Sequence, residues 1–114
     1  MSNKVLIVED NKIAQRIAQQ VIKSCGDESV TVETGIEALR CAAEENYDLI
    51  ILDIALPDVD GYTVRETLRG QGIKTPITGL TAHIDIAEEH IYSKPLTRKL
   101  YQNMLLNAQQ HRAS

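Results

Sequence analysis

Short runs of branched apolar residues alternate along the chain with longer stretches in which apolar positions recur every three or four residues. The runs KVLIV (4–8) and DLIIL (48–52) are continuous, as in strands covered on both faces of a parallel sheet. SVTVE (29–33) and PITGL (76–80) are weaker versions of the same pattern. Between the runs the helical period takes over. Ile13, Ile17 and Val21, flanked by Ala14, Ala18 and Ile22, form one apolar stripe that ends at Gly26. Thr34 and Glu37 make a capping box at the head of a second helix, whose inner face is predicted as Ile36, Leu39 and Ala43. A third helix follows Asp60-Gly61 through Val64 and Leu68 and stops at Gly70, and a last one runs from about Leu96 through Leu100, Met104 and Leu105 towards Ala108. Strands alternating with helices predict an α/β fold: right-handed βαβ units, a parallel sheet and helices on both of its faces.

Composition narrows the classes. With 114 residues and 43% apolar content, the chain suffices for one domain with one core, spanning 1–114. A net charge of -4 offers no basic surface for a nucleic-acid backbone. Cys25 and Cys41 lie in helical segments without CxxC spacing, so both are expected to be reduced packing residues. No apolar run approaches the roughly 18 residues of a membrane span, and MSNKVLIVED lacks a signal-peptide layout, so a cytoplasmic location without a membrane partner is expected.

The chemistry gathers where the strands end. In open parallel sheets the reactive edge is the carboxyl end of the strands, at the switch point of strand order. The first strand ends in Glu9-Asp10, the third in Asp53 and the fourth in Thr81, and Lys94 precedes Pro95 after a last candidate strand, HIYS (90–93). These residues converge if the order is the flavodoxin-like 2-1-3-4-5 of a doubly wound five-stranded sheet. Carboxylates about 5 Å apart at an effective dielectric near 20 repel by about 3 kcal/mol per pair. A hard divalent cation with an oxygen shell completed by water neutralises such a group, and Mg²⁺ fits that description. With Lys94 as a second positive point donor, the cluster suits acceptance of a phosphoryl group on a carboxylate. The plainer alternative is that Asp10 and Asp53 cap the helices that follow them.

These segments together resemble a response-regulator receiver domain. VLIVEDN is similar to the first strand and acidic pair of that family, ETGIEAL to its second-strand exit, and DLIILDIALPDVDG to its phosphoacceptor strand and loop. PITGLTA and SKPL resemble its switch strand and its lysine-proline pair, and the likeness covers nearly the whole chain, most of all to receivers of hybrid sensor histidine kinases. The resemblance implies a phosphorelay domain that is phosphorylated on Asp53 by a histidine kinase or a histidine phosphotransfer protein. It implies a signalling acceptor able to assist its own phosphorylation and dephosphorylation, and not a separate enzyme. It further implies Mg²⁺ held by Asp10, Asp53 and the backbone carbonyl of Ala55, with Glu9 acting through water. Thr81 and Lys94 would contact the phosphoryl group, and Lys94–Pro95 would be a cis peptide. The side positions that tune phosphoryl loss would be Ala55 and His83.

Two features depart from that pattern. Only twelve residues separate Thr81 from Lys94, whereas a crossover including its helix takes at least about 10 to 12 residues before any fifth strand is counted. The helix between the fourth and fifth strands is therefore expected to be vestigial or absent. The aromatic of the family switch falls three before the lysine, where this chain has Ile91; Tyr92 comes one place later and so faces the other side of a strand. These departures motivate an alternative function, a phosphorylation-independent interaction module. A small aspartyl phosphatase is disfavoured because Ala55 stands where that chemistry wants a second acid.

Overall fold

The computed structural model describes residues 2–82 and 91–113, with side chains described as far as Ala108 in the last helix. The segment between the fourth and fifth strands, where the helix is expected to be vestigial or absent, and His83 with it, lie outside the described residues. Each apolar run becomes a strand: β1 (Lys4–Val8), β2 (Glu28–Val32), β3 (Leu49–Asp53) and β4 (Ile77–Thr81), with a short β5 (Ile91–Ser93). All pairings are parallel, in the order β2-β1-β3-β4-β5. The expected flavodoxin-like sheet is therefore present. Four helices accompany it among the described residues: α1 (Lys12–Ser24), α2 (Gly35–Glu44), α3 (Gly61–Gly70) and α4 (Arg98–Ala113).

Alternation along the central strands divides the core. Val5 and Ile7 of β1 with Leu49 and Ile51 of β3 face α1 and α4, meeting Ala18, Ile22, Tyr101 and Met104. Leu6 and Val8 with Ile50 and Leu52 face α2 and α3, meeting Ala38, Val64 and Leu68. Both faces of β1 and β3 are thus buried, which is why these strands read as unbroken apolar runs.

Helix ends follow local chemistry. Asn11, Thr34 and Asp60 are the N-caps, each accepting a backbone N–H of the first turn with its side chain. Thr34 and Glu37 form the expected box, except that Glu37 accepts from the Thr34 hydroxyl at 3.0 Å. The inner faces of two helices differ from expectation. α1 packs through Gln15, Ala18 and Ile22, with the expected Val21 half-buried beside them and Ile13 73% exposed, and α2 packs through Gly35 and Ala38, with the expected Leu39 half-buried against the core and Ile36 57% exposed. Neighbouring stripes on a helix are only about 100° apart. Where both contain apolar residues, the small side chains that allow close approach to the sheet, Ala18 and Ala38, decide which faces inward.

Candidate functional site

The sheet ladder continues one residue past several strands, and this builds the rim. Glu9 N–H donates to the Val32 carbonyl at 3.0 Å, Ile54 N–H to Leu80 at 3.2 Å, and Lys94 N–H to Thr81 at 2.8 Å. Registers Val8 with Leu52, Asp53 with Leu80 and Thr81 with Ser93 keep the strand ends level. Glu9, Asp53, Thr81 and Lys94 therefore come to one edge, as expected. Glu9, Asp53 and Thr81 are buried, and Asp10 is exposed.

One carboxylate oxygen from each of Glu9, Asp10 and Asp53 can be chosen so that all lie within 4.8 Å of one another. The Lys94 ammonium bridges two of these groups, pairing with Glu9 Oε1 and donating to Asp53 Oδ2 at 3.1 Å. The second Asp53 oxygen, Oδ1, accepts the Ala55 N–H at 3.1 Å, and Glu9 Oε2 accepts the Asn11 N–H at 3.2 Å. Burial, and then the hydrogen bond shared with Asp53, raise the Glu9 carboxyl to about 7 against the pull of Lys94 and the Asn11 amide. Burial disfavours the Lys94 ammonium, but its bonds to Glu9 and Asp53 outweigh that and raise its pKa above the ordinary value.

Neither Asp10 nor Asp53 caps a helix, because Asn11 and Asp60 hold those positions. The capping alternative therefore does not account for them. An all-oxygen set of three carboxylates that faces a single ammonium fits a hard divalent cation.

The remaining expected positions fall as follows. Ala55 is exposed, two residues beyond Asp53. Lys94–Pro95 is cis. Tyr92 packs beside the cluster that includes Leu80, on the α1 and α4 side, and its hydroxyl accepts from Asn107 Nδ2 at 3.1 Å. Ile91 lies on the other face against Gly79 and with Ile54.

Gln15 is a site residue that the sequence does not mark. It is 8% exposed, and its Nε2 donates to the Glu9 carbonyl at 2.6 Å and to Glu33 Oε2 at 3.1 Å, fixing the loop that carries the acidic pair. Its only signal is its place in the stripe Gln15, Ala18, Ile22. A groove of about 260 Å³ opens beside the site, bounded by Ile13, Ala14 and Ile17 of α1 and by Ala82, Lys94 and Pro95.

The model of the response regulator receiver domain matches residues 5–105. The chain belongs to that family. Among solved receivers, the receiver domain of sensor histidine kinase PA1611 from Pseudomonas aeruginosa PAO1 is 31% identical with a TM-score of 0.84, each chain covering all of the other; it holds a magnesium ion coordinated in its active-site cleft. Sensor histidine kinase RcsC of Escherichia coli K12 is 31% identical over 85 residues, 75% of this chain and 9% of that one. The transcriptional regulatory protein PhoP of Bacillus subtilis 168 is 39% identical over 82 residues, 72% of this chain and 34% of that one. The chain thus spans a minor part of the length of these two relatives, as a signalling receiver domain within the two-component class.

Proposed function

We propose that this receiver domain accepts a phosphoryl group from a phosphohistidine onto Asp53, with Mg²⁺ as cofactor, and so switches a protein partner. The observation that carries this reading is the setting of the Asp53 carboxylate: buried, one oxygen on the Lys94 ammonium and the other on the Ala55 N–H, beside two further carboxylates. Asp10, Asp53 and the Ala55 carbonyl would hold the cation, with Glu9 through water. The bound cation supplies positive charge against the phosphoryl oxygens.

The steps left to the chain's own residues are positional. An Asp53 oxygen forms the bond to phosphorus as the bond from phosphorus to the donor imidazole nitrogen breaks, giving an acyl phosphate and a free histidine. Lys94 gives up its pairing with the Asp53 carboxylate for a phosphoryl oxygen, and the Thr81 hydroxyl donates to another. The loose transition state needs this alignment and charge more than a strong base. The donor, a histidine kinase or histidine phosphotransfer protein, must bring its imidazole over Asp53. The groove that Lys94 shares with Ile13 and Ile17 offers an apolar seat for it.

Incubation with Mg²⁺ and acetyl phosphate, followed by intact mass, tests the reading. One phosphoryl adduct that disappears in Asp53→Ala is expected. No adduct, or one that survives the substitution, overturns the reading in favour of a phosphorylation-independent module.

A further inference from the structure

The loop that follows Asp53 is fastened to a helix far from it in sequence. Asp58 directs both carboxylate oxygens at the head of α2: Oδ1 accepts the Gly35 N–H at 2.8 Å and Oδ2 accepts the Ile36 N–H at 3.0 Å. These are first-turn amides that have no partner inside a helix, and the helix's own cap, Thr34, serves Glu37 instead. Packing reinforces the polar contact. A Cβ at position 35 would lie 2.2 Å from Val59 Cγ2 and 2.8 Å from Val64 Cγ2, so the loop and α3 sit directly on the bare glycine. At its other end the loop is tied to the acceptor strand, through Ala55 N–H to Asp53 Oδ1 at 3.1 Å and Gly61 N–H to the Ile54 carbonyl at 2.8 Å. The Gly35 amide, and with it the Ile36 amide, holds the Asp58 carboxyl below the usual carboxylate range, so the acceptor of this clasp is charged at neutral pH.

We propose that Asp58 is a positioning residue: by clasping the head of α2 it sets the 54–60 loop, and hence the Ala55 carbonyl, for cation binding beside Asp53. The proposal rests on the Mg²⁺ reading above. Coupling between two sites is reciprocal. If the clasp favours the cation-binding loop, the cation favours the clasp, and the first turn of α2 becomes a place where occupancy of the acceptor site is felt. The exposed Ile36 side chain stands at that turn.

Two measurements on the 114-residue chain test this. Amide exchange followed by nuclear magnetic resonance is expected to slow at Gly35 and Ile36 when Mg²⁺ is added. The Mg²⁺ dissociation constant, taken from shifts of the Asp10 and Asp53 amides, is expected to rise about tenfold in Asp58→Ala, the low end for loss of an outer-shell partner. Asp58→Asn keeps one acceptor and should fall between, which serves if the alanine variant folds poorly. Tyr101→Phe, which removes a half-buried hydrogen bond to Asp27 away from the loop, should lower stability while leaving Mg²⁺ affinity unchanged. Equal affinity in the unmodified, Asp58→Ala and Asp58→Asn chains overturns the proposal, as does a loss in Tyr101→Phe as large as in Asp58→Ala, or unchanged exchange at Gly35 and Ile36. If the unmodified chain shows no Mg²⁺ shifts at Asp10 and Asp53, the parent reading itself falls, before any variant is compared.

Discussion

Buried beside Asp53, the Glu9 carboxyl has a folded-state value of about 7 against an ordinary 4.5. The folded chain therefore binds this proton more tightly than the unfolded one, and stability falls as pH rises between those values. Lys94 does not oppose this slope, because its raised value leaves it protonated throughout the window. In chelator, the urea midpoint is expected to drop from pH 5 to pH 7.5, and Glu9→Gln should flatten that drop; a variant with the full slope would assign it elsewhere. The same residues explain what the sequence reveals about the site. Glu9, Asp10, Asp53 and Thr81 stand where an apolar run stops, and Lys94 stands before a proline, so topology alone gathers them. Gln15 and Asp58 are different. Each is a polar residue among many, given a role only by backbone groups that folding brings near: the Glu9 carbonyl for one, the Gly35 and Ile36 amides for the other.

The strands were legible because two-sided burial writes an unbroken apolar run. The helices were legible in extent but not in facing. α1 carries apolar residues on two adjacent stripes, and period alone cannot say which one the sheet takes. That the sheet takes Ala18 and Ile22 leaves Ile13 free at the lip of the groove beside Lys94. The helix thus has two working surfaces, with Gln15 on the inner one steadying the acidic pair and Ile13 on the outer one. Ile13→Ser is expected to slow phosphoryl transfer from a histidine phosphotransfer protein on the order of tenfold, the size of an ordinary interface residue. Labelling by acetyl phosphate, which needs no docked partner, should be unaltered. Equal slowing with both donors would show that Ile13 acts on the acceptor site and not on docking.

At the scale of the molecule, two core layers share one sheet, and α4 closes the layer shared with α1 through Tyr101, Met104 and Ala108, with Leu96 just ahead of the helix. Tyr101 is fully buried, yet its hydroxyl donates to Asp27 Oδ2 at 2.6 Å, and Asp27 also accepts the Asn3 N–H at 2.8 Å. One carboxylate thus ties the last helix to the residues just ahead of β1 and β2. Its loss in Tyr101→Phe is expected to cost about 1.5–3 kcal/mol by urea unfolding, as for a hydrogen bond to a charged group. A cost near zero would show that α4 is held by apolar packing alone. The sequence marks α4 by its leucines and does not single out Tyr101, because a phenol is read as surface-tolerant until a partner for its hydroxyl is known.

The same side chain gives the molecule an optical handle. The chain has neither Trp nor Phe, and its aromatic residues are four tyrosines. Of these, Tyr47 and Tyr101 are buried, one in each core layer. Near-ultraviolet circular dichroism, which is lost when side-chain packing loosens while far-ultraviolet signal persists, therefore samples both layers through rings fixed in asymmetric surroundings. Because the tyrosines differ in their hydroxyl partners, the Tyr101→Phe difference spectrum isolates the contribution of α4, and unlabelled protein suffices to follow that helix settling onto the sheet.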